Sequence, residues 1–140
     1  MSVDVTAEVR IARDPQAVWD YMTDPGHEPQ WIGGLKTSRL IGDPPLREGS
    51  RVERVAGFLG RRIEYVNEVT QLEPPRLLDM RSVKAPFPMH ITYTLEGERE
   101  TTVRNHVRGG GPRLFAPLVR RNIQRDLERL RELTEQQLPA

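Results

Sequence analysis

The chain has no cysteine. Disulfides, thiolate zinc sites and cysteine nucleophiles are excluded by that alone. It also lacks an apolar run approaching the roughly 20 residues that a membrane-crossing helix needs. Neither charge sign dominates: 21 Lys+Arg stand against 20 Asp+Glu, a formal net charge of +1, which is too balanced to argue for nucleic acid by itself. The histidines, His27, His90 and His106, fall in neither HxH nor HExxH spacing, so no metal site is expected. No serine sits in a G-x-S-x-G elbow. Gly109-Gly110-Gly111-Pro112 lacks the Lys-Ser/Thr that completes a phosphate loop. No repeat, low-complexity tract or linker divides the sequence. The N-terminal MSVDVTAEVRIAR alternates rather than forming a signal-peptide core, so a cytoplasmic location is expected.

What is present suits one domain, residues 1–140, with one core: 36% of the residues are hydrophobic and 29% charged. Val3, Val5, Ala7, Val9 and Ile11 alternate with polar residues and predict a first strand with one buried face. Asp14-Pro15 reads as an N-cap followed by proline at the first helical position, opening a short helix through Ala17–Met22. Asp24-Pro25 repeats that start signal for a second short helix or turn, which Gly33-Gly34 ends after Trp31. Strands are then predicted at Leu35–Ile41, Ser50–Ala56, Arg61–Leu72, Leu77–Val83, Phe87–Glu96 and Thr101–Val107. The turn signals between them indicate an antiparallel meander. After Pro112, Leu114, Phe115, Leu118, Val119, Ile123, Leu127, Leu130 and Leu133 recur at three- and four-residue steps, predicting one long amphipathic helix to about Leu138. Its apolar stripe must be buried against the sheet.

Alternation assigns the faces. Ile63, Tyr65, Asn67 and Val69 are expected to point inward, toward the helix. So are Leu78, Met80 and Ser82; Met89, Ile91, Tyr93 and Leu95; and Val103, Asn105 and Val107. His90 and His106 fall on the outer face, and His27 in the turn between the short helices. An unpartnered buried amide costs about 1–3 kcal/mol. Two asparagines on one inner face therefore point to a wet cavity or to a satisfied internal network.

The order of strand, two short helices, six strands and long helix resembles the helix-grip fold of the START and polyketide-cyclase superfamily (SRPBCC). The resemblance is carried by Ile11-Ala12-Arg13-Asp14-Pro15-Gln16-Ala17-Val18-Trp19, Asp24-Pro25 and Trp31, by the run from Glu68 to Arg76, and by the run from Leu118 to Leu130. It covers essentially the whole chain. It implies an α+β fold, in which a curved antiparallel sheet of seven strands wraps around a long C-terminal helix. It also implies a deep, mostly apolar cavity between sheet and helix. Fold of this kind does not set function.

Within such a cavity, Asn67 and Asn105 would bind ligand carbonyls or hydroxyls, and Tyr65 and Tyr93 would add hydroxyl donors. Trp31, Met80, Met89, Ile91, Phe115 and Leu118 would supply the apolar lining, together with Leu114. The expected function is binding of a hydrophobic small molecule that is polyketide-like, aromatic or lipid. A polyketide cyclase or dehydratase and a quinone or lipid carrier are the alternatives the resemblance permits. No catalytic constellation is evident: Glu53, Arg54 and Asp79 would face inward only with the opposite strand parity. No cofactor, metal or nucleic-acid partner is expected, and both monomer and homodimer stay open. The Phe58-Leu59 hairpin tip is an exposed apolar pair that would cap the cavity mouth, meet a partner or pack on the helix. Gly109–Pro112 would serve as a hinge for that helix. Arg120, Arg121 and Arg125 would form a solvated face balanced by Asp126, Glu128 and Glu132, or an anionic-membrane patch.

Overall fold

The computed structural model describes residues 3–58 and 60–139, with Phe58 described by its backbone alone. The Phe58-Leu59 expectation thus lies outside the described side chains. Strand β1 (Val3–Ile11) buries every second residue, as its alternation requires. Helix α1 (Pro15–Met22) opens where Asp14 accepts a hydrogen bond from the Ala17 backbone N–H at 3.0 Å. Helix α2 (Glu28–Trp31) is a single turn. Six strands follow: β2 (Leu35–Ile41), β3 (Arg51–Phe58), β4 (Arg61–Glu73), β5 (Leu77–Lys84), β6 (Met89–Glu96) and β7 (Thr101–Gly109). A 3-10 turn (Arg113–Phe115) leads into α3 (Ala116–Gln137).

The seven strands form one antiparallel sheet in the order β1-β7-β6-β5-β4-β3-β2. The meander accounts for every neighbour except β1, which crosses the sheet to pair with β7; there Val5 faces Val107 and Ala7 faces Asn105. Helix α3 lies against the inner face and buries Leu127, Leu130 and Leu133 among Ile11, Val18, Met22, Val69, Leu95 and Val103. Each such side chain contributes about 1.5–3 kcal/mol by leaving water. This is the helix-grip arrangement that the sequence resembles. No helix among the described residues is long and apolar enough to cross a membrane.

Leu114 departs from the expected stripe and is 83% exposed. It lies in the 3-10 turn, where each residue advances by about 120° rather than about 100°. Three residues of that winding slip the phase, so Leu114 turns outward. The glycines before it are not a free segment. Gly109 closes β7 in register with Val3 and Met89, and the Gly110 N–H donates to the Pro88 carbonyl at 2.9 Å.

Candidate functional site

The site begins with a charge on the inner face of β3. The register sets Arg54 opposite Tyr65 and Val52 opposite Asn67, so Arg54 shares a face with the residues that point toward α3. Its guanidinium meets Glu28, the first residue of α2, side-on. Arg54 Nε donates to Glu28 Oε1 at 3.2 Å, and Nη2 donates to Oε1 at 3.0 Å and to Oε2 at 2.7 Å. The Ser38 hydroxyl on β2 donates to the same carboxylate. The two charged side chains are only 5% and 9% exposed. Burial, the largest influence, would push the guanidinium down; the Glu28 charge and hydrogen bonds, with Tyr65 and Tyr93, together outweigh it, and the group ends above its ordinary value. Bidentate geometry of this kind compensates much of the desolvation cost of the two ions.

Beside this pair, a cavity of about 180 Å³ separates the sheet from α3. Met80, Met89, Ile91 and Val107 give it apolar walls from the sheet, and Val119 and Ile123 from the helix. Ile32 after α2 adds to them. Arg54, Tyr65, Tyr93, Asn105 and Asp126 bring polar groups to the same space. Burial pushes both tyrosine hydroxyls above their ordinary range, so they stay protonated and able to donate. Asn105 Oδ1 is buried without a protein donor. Asp126 is held at the wall by the Gly33 backbone N–H, which donates to its Oδ1 at 2.9 Å. Desolvation pushes its carboxyl up to about 6, despite the opposing effects of that hydrogen bond and of Arg125. A second, strongly apolar space of about 130 Å³ shares Met89, Val107 and Val119 with the first. It extends past Phe87 and Phe115 to the Gly109–Pro112 segment.

Residues 2–135 match the family model described as polyketide cyclase / dehydrase and lipid transport. The chain belongs to this family. An uncharacterized protein of Mycobacterium tuberculosis, Rv1546, is 26% identical over 141 aligned residues, covering 94% of this chain and 97% of that protein. The START superfamily protein from Mycobacterium smegmatis superposes with a TM-score of 0.80 at 14% identity, covering 95% of this chain and 97% of the other. The Zhui aromatase/cyclase from Streptomyces sp. R1128 does so with a TM-score of 0.76 at 16% identity, covering 98% and 96%. At these identities the two structures establish the shared fold.

In this member of the family, Tyr65, Met80, Met89, Ile91, Tyr93 and Asn105 all border the main cavity, on the inward face that the alternation assigned them. Phe115 borders the adjoining apolar space. Trp31 does not line the cavity; it is buried and meets Tyr93 edge-on, with ring centroids 6.1 Å apart. Asn67 is fully buried, with neither amide atom bonded to protein, and does not border the cavity either. Leu118 is half-buried and off the lining, because the helix turns Val119, Ile123 and Asp126 toward the sheet instead. Arg54 reverses the expected parity of β3, while Glu53 is half-buried and accepts a hydrogen bond from Arg39.

Asp126 also differs from expectation, since it faces the cavity rather than balancing a solvated arginine face. Its signal was present in the sequence: it falls three residues after Ile123 and four before Leu130, on the apolar stripe itself. On the opposite face of the sheet, His90 is not a simple surface histidine. Its Nε2 lies 2.6 Å from Asp79 Oδ1, which also accepts from the Thr92 hydroxyl at 2.6 Å, while the Thr70 hydroxyl bonds Oδ2. Burial alone would raise the Asp79 carboxyl; these hydrogen bonds outweigh it and hold the group below its ordinary value. Asp79 thus keeps the expected outer orientation and is nonetheless buried.

Proposed function

We propose that the chain is a ligand-binding domain that takes up a compact hydrophobic molecule, aromatic and polyketide-like, with one polar end, between the sheet and α3. The observation that carries this is the asymmetry of the cavity. Methionine and aliphatic walls run toward Phe87 and Phe115, while Arg54, Tyr65, Tyr93, Asn105 and Asp126 gather the polar groups. A cavity of about 150 Å³ is large enough for a benzene ring. The main space here therefore accepts one substituted ring, and a longer ligand extends into the adjoining apolar space. A ligand hydroxyl would donate to Asn105 Oδ1, and a ligand carbonyl would accept from a tyrosine hydroxyl. The Arg54 charge is already matched by Glu28, which favours a neutral polar end over a carboxylate.

Titration with hydroxylated one- and two-ring aromatics, followed by Trp31 fluorescence and calorimetry, tests this. Met80→Trp should fill the cavity and abolish binding while leaving the fold intact by circular dichroism. Unchanged affinity in that folded variant would refute the location. One observation favours a second reading, catalysis of a cyclase or dehydratase type. Asp126 is a carboxyl displaced to about 6 that borders the same cavity as two protonated tyrosines. Such a group exchanges protons readily near neutral pH. Turnover of a bound polyketide-type substrate that is lost in Asp126→Asn, with binding retained, would establish that reading. Equal turnover in the variant would remove it.

A further inference from the structure

Charge is segregated within this nearly neutral chain. From Thr101 to Arg125 the sequence holds six arginines and no Asp or Glu. Three of them, Arg113, Arg120 and Arg121, are exposed and make no ion pair or hydrogen bond among the described residues. Arg113 precedes α3, and Arg120 and Arg121 lie in its second turn. The helix has neither a side-chain cap nor an acidic residue in its first turn. The positive end of the helix dipole thus meets Arg113 with no acid beside it, an arrangement that an external anion would offset.

The same rim carries exposed apolar side chains. Leu114 projects into solvent at 83% exposure between Arg113 and α3. Phe87, 39% exposed, lies beside Gly110 across the Gly109–Pro112 segment. Phe87 and Phe115 both line the adjoining apolar space.

We infer that this rim is a docking surface for an anionic lipid bilayer, with Leu114 and Phe87 inserting below headgroups that Arg113, Arg120 and Arg121 contact. Protruding single apolar side chains near unpaired cations suit a fluid interface, which needs no shape complementarity. A protein partner would require a continuous complementary face of about 1,000 Å² in total. Docking in this orientation sets the apolar space against the bilayer. A hydrophobic ligand would then pass between membrane and protein without crossing water. The surface is defined without reference to the cavity ligand, and its test uses none.

Sedimentation with vesicles of phosphatidylcholine alone, and of phosphatidylcholine mixed with phosphatidylglycerol, tests the inference. The protein should co-sediment with the mixed vesicles, stay in solution with the neutral ones, and be released by high salt. Arg120→Ala and Arg121→Ala should each weaken partitioning by about five-fold. Leu114→Ser should weaken it by about ten-fold, and its exposure makes the substitution harmless to the fold. Arg99→Ala removes the same charge from the β6–β7 hairpin, at the far end of those strands, and should have no effect. Equal binding to both vesicle types, an equal effect of Arg99→Ala, or displacement by soluble glycerol phosphate at low concentration would overturn the assignment.

Discussion

Replacing Asp126 by Asn should stabilise the protein at neutral pH and leave it unchanged near pH 4. The carboxyl of Asp126 has an ordinary value of 3.8 and is pushed to about 6 in the fold, chiefly by desolvation. Between those values the native state retains a proton that the unfolded chain has lost. Folding stability therefore falls as pH rises from about 4 to about 6, and is level above that. A gap of about two pKa units corresponds to at most about 3 kcal/mol. The side chain keeps partial contact with solvent, which screens the effect to about 1–2 kcal/mol. Asparagine removes the titration but keeps the acceptor that Gly33 bonds at 2.9 Å. Urea denaturation of both proteins from pH 4 to 8 should show the curves diverging through this window, with the variant more stable by about 1–2 kcal/mol at pH 7, or roughly 3–6 °C in Tm. A difference independent of pH, or a variant less stable at pH 7, would refute the claim that desolvation governs this group.

Three further outcomes are expected. Glu28→Gln or Arg54→Met alone should each cost about 3–5 kcal/mol by stranding a buried charge. The double substitution should cost less than the sum, and a double-mutant cycle measures that coupling. Asp79→Asn should destabilise by about 1–3 kcal/mol at pH 7 through weakened charge-assisted hydrogen bonds. Because the Asp79 carboxyl is held below 3.8, its stabilisation is present above that pH and fades as pH falls further, so the two denaturation profiles should converge in acid. Leu127→Ala should cost about 2–5 kcal/mol, whereas Leu114→Ala should change stability by no more than about 0.5 kcal/mol. Thermal melts of the pair would check the phase of the helix across its 3-10 start.

The elements were largely legible because local patterns and tertiary burial agree in them. β1 alternates without a break, Asp14-Pro15 caps α1, and the inward parity of β4, β6 and β7 follows from alternating runs, whereas β5, Leu77-Leu78-Asp79-Met80, alternates less cleanly. That parity located Tyr65, Tyr93 and Asn105 on the cavity. The charged part of the site was harder to read. An arginine in a strand signals solvent on any local scale, and Arg54 is buried only because Glu28, 26 positions away in the sequence, is folded against it. Asp126 likewise reads as a surface charge, because it stands with Glu128 and Glu132 among Arg120, Arg121 and Arg125. Leu114 failed in the opposite sense: a 3.6-residue period was extended into three residues that wind more tightly.

The pairing of β1 with β7 bears on how the chain closes its cavity. Residues 3–11 find their partners at 101–109, and β1 is also held to the last helix, where the Ala12 N–H donates to Glu135 at 2.8 Å and Arg13 bonds the Leu138 carbonyl at 3.0 Å. β1 leaves the ribosome well before its partners and must therefore wait for β7 and α3. Until then β1 has no strand partner, and the space between sheet and helix has no roof. Loop closure over such a separation makes folding slow relative to proteins with mainly local contacts. A hydrophobic ligand that fills the space would favour the closed product alone, coupling occupancy to completion of the fold.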